Sequence, residues 1–138
     1  MRGEWVVDAS VLGAFFFKEP LAEAADRFLT ENPELVAPDL LTIEMASIAA
    51  KKVWRGETTD QIAGRAIDAT IELVQLLVSG AGLAPRAYAL AAAHRFSAYD
   101  ATYLALAEMR SCRVATLDIR LSRRADQAGL AHLVHALA

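Results

Sequence analysis

Apolar residues along this chain fall into two kinds of run, and the alternation between them sets the expected fold. Short runs without polar interruption occur at "EWVVD" (4–8), "ELVAP" (34–38) and "RVATLD" (113–118). Apolar runs that do not alternate suit strands buried on both faces, as in a parallel sheet. Between them lie longer stretches of helical period. "ASVLGAFFFKEP" turns helical and stops near Pro20. "PLAEAADRFLTEN" is amphipathic, with Leu21, Ala24, Ala25, Phe28 and Leu29 on one side. "DLLTIEMASIAAKKVWRG" reads as a helix from an Asp39 cap to Gly56, with Lys51, Lys52 and Arg55 near its C-terminus, where the dipole favours cations.

Further along, "TTDQIAGRAIDATIELVQLL" (58–77) reads as one long helix whose stripe is Ile62, Ala66, Ala69, Leu73 and Leu76 or Leu77. "VSGAGLAP" reads as a loop with room for an ill-defined strand, its "GAG" (80–82) a turn. "PRAYALAAAHRF" and "SAYDATYLALAEMRS" form a helix pair divided near Ser97. "RLSRRADQAG" is a short helix closed by Gly129, and "LAHLVHAL" supplies a last strand. Strands alternating with helices predict an α/β fold with a mainly parallel sheet of four or five short strands. Residues 1–138 read as one domain without internal repeat or linker.

Composition narrows the class. Apolar residues make up 55% of 138, with only 7 Gly and 4 Pro, which excludes a disordered or low-complexity chain. The single Cys112 has no disulfide partner, which suits a reducing cytoplasm. Glu4 and Asp8 interrupt the first apolar run, so no signal peptide is expected. The longest charge-free stretch, Leu73 to Pro85, carries Gln75, Ser79 and two glycines, a poor membrane span. A net charge of −3 argues against a protein that coats nucleic acid, yet not against an enzyme that recruits divalent cations to acids.

Four acids stand apart from the solvated ones. Asp8 closes the strand Val6–Val7, where parallel sheets bind ligands; it is equally an N-cap for the next helix. Glu44 lies on an apolar stripe, with Leu40, Leu41 and Ile48 at −4, −3 and +4, or at that stripe's edge. Asp100 shares a face with Phe96, Tyr103, Leu104 and Ala107, and "SAYD" fits a capping box led by Ser97. Asp118 ends "VATLD", two residues after Thr116, and it too is placed to cap a helix. Each has an ordinary structural explanation, but four such acids converging on one sheet edge require protons or divalent cations between them. Hard carboxylate oxygens suit Mg²⁺ or Mn²⁺.

"VVDASVL", "LLTIEMAS", "SAYDATYLALA" and "VATLDIRL" resemble, in order and spacing, the four acidic motifs of the PIN-domain ribonucleases, above all VapC-type toxins of VapBC toxin–antitoxin pairs. The resemblance covers essentially the whole chain. It implies a three-layer α/β/α fold and an acidic quartet of Asp8, Glu44, Asp100 and Asp118 that binds Mg²⁺ or Mn²⁺. Ser10 and Thr116 match the family's supporting hydroxyl residues. The implied activity is endonucleolytic RNA cleavage leaving 5′-phosphate and 3′-hydroxyl ends, silenced by a VapB-like antitoxin, in a toxin that forms homodimers. "VLGAFFF" and helix 58–77 offer surfaces for such contacts.

Arg120 and Arg123 follow Asp118 closely and read either as phosphate contacts or as a solvated helix face. Lys51 and Lys52 read as a solvated face. His132 and His135 form H-x-x-H without further ligands, and Cys112 has no evident partner, so neither is assigned a role. Competing readings are a PIN-fold RNA-processing nuclease without an antitoxin and a Mg²⁺-binding phosphoryl-receiver domain. The latter expects paired acids after the first strand, where only Asp8 stands.

Overall fold

The computed structural model describes residues 3–138. Five short strands form its sheet: β1 Trp5–Val7, β2 Leu35–Pro38, β3 Leu76–Val78, β4 Arg113–Thr116 and β5 Val134–Ala136. They lie in the order β3-β2-β1-β4-β5, and every neighbouring pair is parallel. Seven helices connect them: α1 Ala9–Phe16, α2 Ala22–Glu31, α3 Leu40–Trp54, α4 Asp60–Leu73, α5 Gly80–His94, α6 Ala98–Arg110 and α7 Ile119–Gln127.

The non-alternating strands have the expected cause. Val6, Val36, Val114 and Val134 point to one face and pack with α5, α6 and α7. Val7, Leu35, Ala37 and Ala115 point to the other, against α1, α2 and α3. Successive side chains of a strand face opposite ways, so a sheet covered on both sides needs apolar residues at every position. The result is three layers, α/β/α. Leu12, Leu35, Leu41, Leu104 and Leu106 are among the fully buried side chains, each contributing about 1.5–3 kcal/mol by removal from water.

Several local expectations need correction. Helix 58–77 ends at Leu73, because Val74 turns extended and the Gln75 amide ties the next strand to β2. That amide accepts from Leu35 N at 2.7 Å and donates to the Pro33 carbonyl at 2.7 Å. Its buried stripe is Ala63, Ala66 and Thr70 rather than one led by Ile62, which is 46% exposed. Thr70 is tolerated inside because its hydroxyl donates to the Ala66 carbonyl. In α2, Ala25, Phe28 and Leu29 are buried as expected, whereas Leu21 precedes the helix and is exposed.

"VSGAGLAP" is not a loop. Val78 ends β3, and Gly80 to Pro85 open α5, with Ser79 Oγ accepting from Ala81 N at 3.3 Å. Nor does Asp39 cap α3: its backbone is already helical, and its Oδ1 accepts from Gly80 N at 3.1 Å, serving α5 instead. "VLGAFFF" is mostly interior, with Val11, Leu12, Gly13 and Ala14 buried and the three phenylalanines packed at the core's margin. Among the described residues, no helix is long and apolar enough to cross a membrane.

Candidate active site

From β1 the chain moves outward to β2 and β3, then returns to β4 on the opposite side of β1. The connections therefore diverge between β1 and β4, and in open α/β sheets the crevice at such a switch point, beyond the strands' carboxyl ends, is where ligands bind. Asp8 sits there. It is 7% exposed, and its Oδ1 caps α1 by accepting from Ser10 N at 3.1 Å and Val11 N at 3.4 Å.

Two hydroxyls complete the cradle. Ser10 Oγ donates to Asp8 Oδ1 and Thr116 Oγ1 donates to Asp8 Oδ2, each at 2.5 Å. Ser10 Oγ accepts in turn from Leu117 N at 2.9 Å, and Thr116 Oγ1 from Asp118 N at 2.9 Å. A hydroxyl has one proton, so with both committed to Asp8 the 3.3 Å approach of Ser10 Oγ to Thr116 Oγ1 is a contact rather than a strong bond. The network ties the β1–α1 junction to the β4–α7 junction. Burial outweighs these donors and pushes the Asp8 carboxyl up to about 6.

Glu44 comes from α3, half-buried at the edge of the buried stripe of Leu41, Met45 and Ala49. Its Oε1 accepts from Tyr103 Oη at 2.5 Å. Burial raises its carboxyl above the usual range, opposed by the Tyr103 bond, and the charge of Asp100 adds to the rise. Asp100 follows the Ser97 cap, whose Oγ accepts from Asp100 N at 3.1 Å. Burial also raises Asp100, with Asp118 adding repulsion; Arg124 and Arg120 act against it. Asp118 Oδ1 caps α7, accepting from Arg120 N at 2.9 Å and Leu121 N at 3.3 Å. Capping and proximity to another acid thus coexist at Asp118, while Asp100 is held by the Ser97 cap and Asp8 caps α1.

The basic residues divide. Arg120 stands 3.8 Å from Asp118 with a side chain 91% exposed, a screened pair of little strength. Arg123 is exposed and makes no ion pair among the described residues. Arg124 donates to the Arg95 carbonyl and lies over the Phe96 ring, fastening α7 to the turn before Asp100. Lys52 pairs with Glu19 at 2.8 Å and Glu57 at 3.4 Å, and Lys51 is exposed, both away from the acids' hydrogen bonds. His135 packs against Trp5 and joins no ligand cluster.

Two residues escaped the sequence reading. Tyr103 looks like one more apolar-face residue of α6, and only its spacing of three from Asp100 hinted that its hydroxyl belongs with the acids. Asp39 looked like a cap for its own helix. Neither contact is visible without the tertiary fold.

Among the described residues, no three or more His, Cys, Asp or Glu side chains are grouped so as to hold a metal ion between them as the structure stands. The donor set nonetheless fits a hard, hydrated divalent cation. Mg²⁺ is commonly held by one or two carboxylates and several waters. Asp8, Glu44 and Asp100 are all held above their ordinary range, with burial the leading cause, and a bound cation would relieve that cost.

A three-layer parallel fold with acids at the switch point defines a class, and comparison with known proteins gives it a name. The PIN domain model matches residues 5–127. The chain belongs to the PIN-domain family, and within it to the VapC group. Ribonuclease VapC3 of Pyrobaculum aerophilum is 34% identical over 121 residues, spanning 86% of this chain and 92% of that protein. Ribonuclease VapC9 of Mycobacterium tuberculosis is 33% identical over 117 residues, spanning 85% and 87%. The crystal structure of PAE2754 from Pyrobaculum aerophilum superposes with a TM-score of 0.69 over 88% of this chain and 78% of that one; at 22% identity it speaks for the fold.

Proposed function

We propose that residues 1–138 act as one metal-dependent endoribonuclease, the toxin of a VapBC-type pair. The observation that carries this reading is the buried Asp8 at the switch point, with Glu44, Asp100 and Asp118 near enough that Glu44 feels the charge of Asp100 and Asp100 that of Asp118, in a chain whose relatives are named VapC ribonucleases. Asp8, Glu44, Asp100 and Asp118 are the residues that would hold Mg²⁺ or Mn²⁺, the ion supplying an activated water and charge neutralisation at the phosphate. Asp8 contributes a carboxylate whose orientation Ser10 and Thr116 fix before substrate arrives. Asp100, with Asp118 close enough to repel it, is suited to accept the proton of the attacking water. Arg120 and Arg123, exposed on α7 beside Asp118, meet the RNA phosphates flanking the cut.

Regulation by an antitoxin fits the surface beside the acids. A cavity of about 340 Å³ starts at Ser10 and Leu117, runs along α1 past Gly13 to Glu19 and Pro20, and is lined by Ile48. There it meets a second cavity of about 460 Å³, walled by Phe16, Phe17, Lys52 and Ile62. A peptide laid along this path would end at Ser10, whose hydroxyl bonds Asp8, and a basic side chain at that end would oppose the charge of the acids. The homodimer is best served by an apolar hollow of about 530 Å³ between α3, α5 and α6, where Ile43 and Tyr99 stand exposed.

The test uses the antitoxin-free chain on total RNA in Mg²⁺ or Mn²⁺. Cut ends that a ligase joins directly through a 5′-phosphate support the reading. Ends carrying 2′,3′-cyclic phosphates contradict it, because they arise from attack by the RNA's own 2′-hydroxyl.

A further inference from the structure

We propose that Tyr103 is a positioning residue for the site, its buried hydroxyl holding Glu44 by Oε1 so that the second oxygen is presented in a fixed orientation to a divalent cation. This rests on the carboxylate–metal reading above and deepens it. Three observations carry it. Tyr103 is 3% exposed, and among the described residues its hydroxyl has one acceptor. That acceptor is Glu44 Oε1 at 2.5 Å, and the Glu44 carboxylate makes no other hydrogen bond among the described residues. The two side chains come from different helices, α6 and α3, so the bond fixes the only acid of the four that does not sit beside a strand end or a helix cap.

The position is also unusual for a packing residue. Tyr103 lies three residues after Asp100, on the same face of α6, between Ala101 and Leu104 in the interior. Phenylalanine would fill the same volume with no polar atom to satisfy. A phenol keeps its proton at ordinary pH, so the Tyr103 hydroxyl acts as a donor and Glu44 is its acceptor. Glu44 carries three side-chain torsions before its carboxylate; a hydrogen bond to one oxygen removes the freedom that a cation would otherwise have to freeze. Outer partners of metal ligands act in this way, and their removal typically weakens metal binding by about 10- to 100-fold.

The experiment titrates Mn²⁺ by calorimetry into the full chain, stripped of metal, as wild type, Tyr103→Phe, Glu44→Gln and the double variant. Tyr103→Phe is expected to weaken Mn²⁺ binding about tenfold. In the Glu44→Gln background, adding Tyr103→Phe is expected to change nothing, since the carboxylate it orients is gone. Wild-type affinity in Tyr103→Phe, or the same loss in both backgrounds, overturns the proposal. A wild-type chain that takes up no Mn²⁺ fails the metal reading itself, a result distinct from an unaltered Tyr103→Phe titration. A second readout needs neither metal nor the Phe variant. The wild-type proton spectrum is expected to contain a downfield, slowly exchanging tyrosine hydroxyl resonance that Glu44→Ala abolishes; a wild type without that resonance overturns the hydrogen bond on which the proposal stands.

Discussion

Replacing Asp8 with asparagine is expected to stabilise the metal-free protein at neutral pH while removing its activity. The folded carboxyl titrates near 6 against 3.8 for the ordinary side chain. Below pH 3.8 both folded and unfolded chains hold the proton, and Asp8 imposes no electrostatic cost. Between 3.8 and about 6 the unfolded chain loses the proton while the folded one keeps it, so stability falls as pH rises through that window. Above about 6 the full cost persists, and a shift from 3.8 to about 6 corresponds to about 3 kcal/mol. Asparagine removes this cost and keeps Oδ1 as the α1 cap for Ser10 N and Val11 N. Its Nδ2 meets Thr116 Oγ1, which must rotate its proton away and accept instead. Weakening of the two hydroxyl bonds offsets part of the gain, leaving about 1–3 kcal/mol of net stabilisation, or several degrees in Tm, at about pH 8. Near pH 4 the two proteins should match within about 1 kcal/mol. Urea unfolding of both proteins in chelator across this range reads the difference directly. Glu44 and Asp100 shift the same way and slope both curves alike, so the difference isolates Asp8. A variant less stable than wild type at every pH, by a constant amount, would refute the claim that burial governs Asp8.

Three other outcomes follow from the same geometry. Glu44→Gln and Asp100→Asn should each lower RNA cleavage by roughly 10²–10³-fold with circular dichroism unchanged, since each removes a charge and not a packing atom; retention of full activity by either would remove it from the site. Ser97→Ala should cost about 1 kcal/mol, measured by denaturant midpoint, because Ser97 Oγ caps α6 at Asp100 N. Arg120→Gln with Arg123→Gln should weaken RNA binding uniformly across sequences and flatten its salt dependence by about one to two counterions, read from binding at several salt concentrations. An unchanged salt slope would leave both arginines as solvated surface.

Much of this architecture was legible because the sequence elements are locally decisive. β1, β2 and β4 announce themselves as apolar runs, and a sheet covered on both faces is the arrangement that uses every residue of them. Ser97 and Asp118 read correctly as caps, since capping needs only neighbours along the chain. Failures occurred where a partner comes from elsewhere. Gly80 and Gly82 look like a turn until Asp39, 41 residues earlier than Gly80, takes up one free N–H of α5. Leu76 and Leu77 continue a helical stripe until the Gln75 amide anchors them beside β2. Ile62 looks interior by hydropathy, yet α4 rests on the smaller Ala63 and Ala66. At the site, the four acids were visible as acids in apolar surroundings, and Ser10 and Thr116 by their match to supporting hydroxyls, whereas the Thr116–Asp8 and Tyr103–Glu44 bonds are products of tertiary contact.

The most direct test of the account is cleavage of an end-labelled cellular RNA by the antitoxin-free chain in Mn²⁺, in excess chelator, and after Mn²⁺ is restored, with Asp100→Asn run alongside. Cleavage is expected to stop in chelator, return with the metal and be absent from the variant. Cleavage that persists in chelator, or that the variant carries out as well as the wild type, would contradict it.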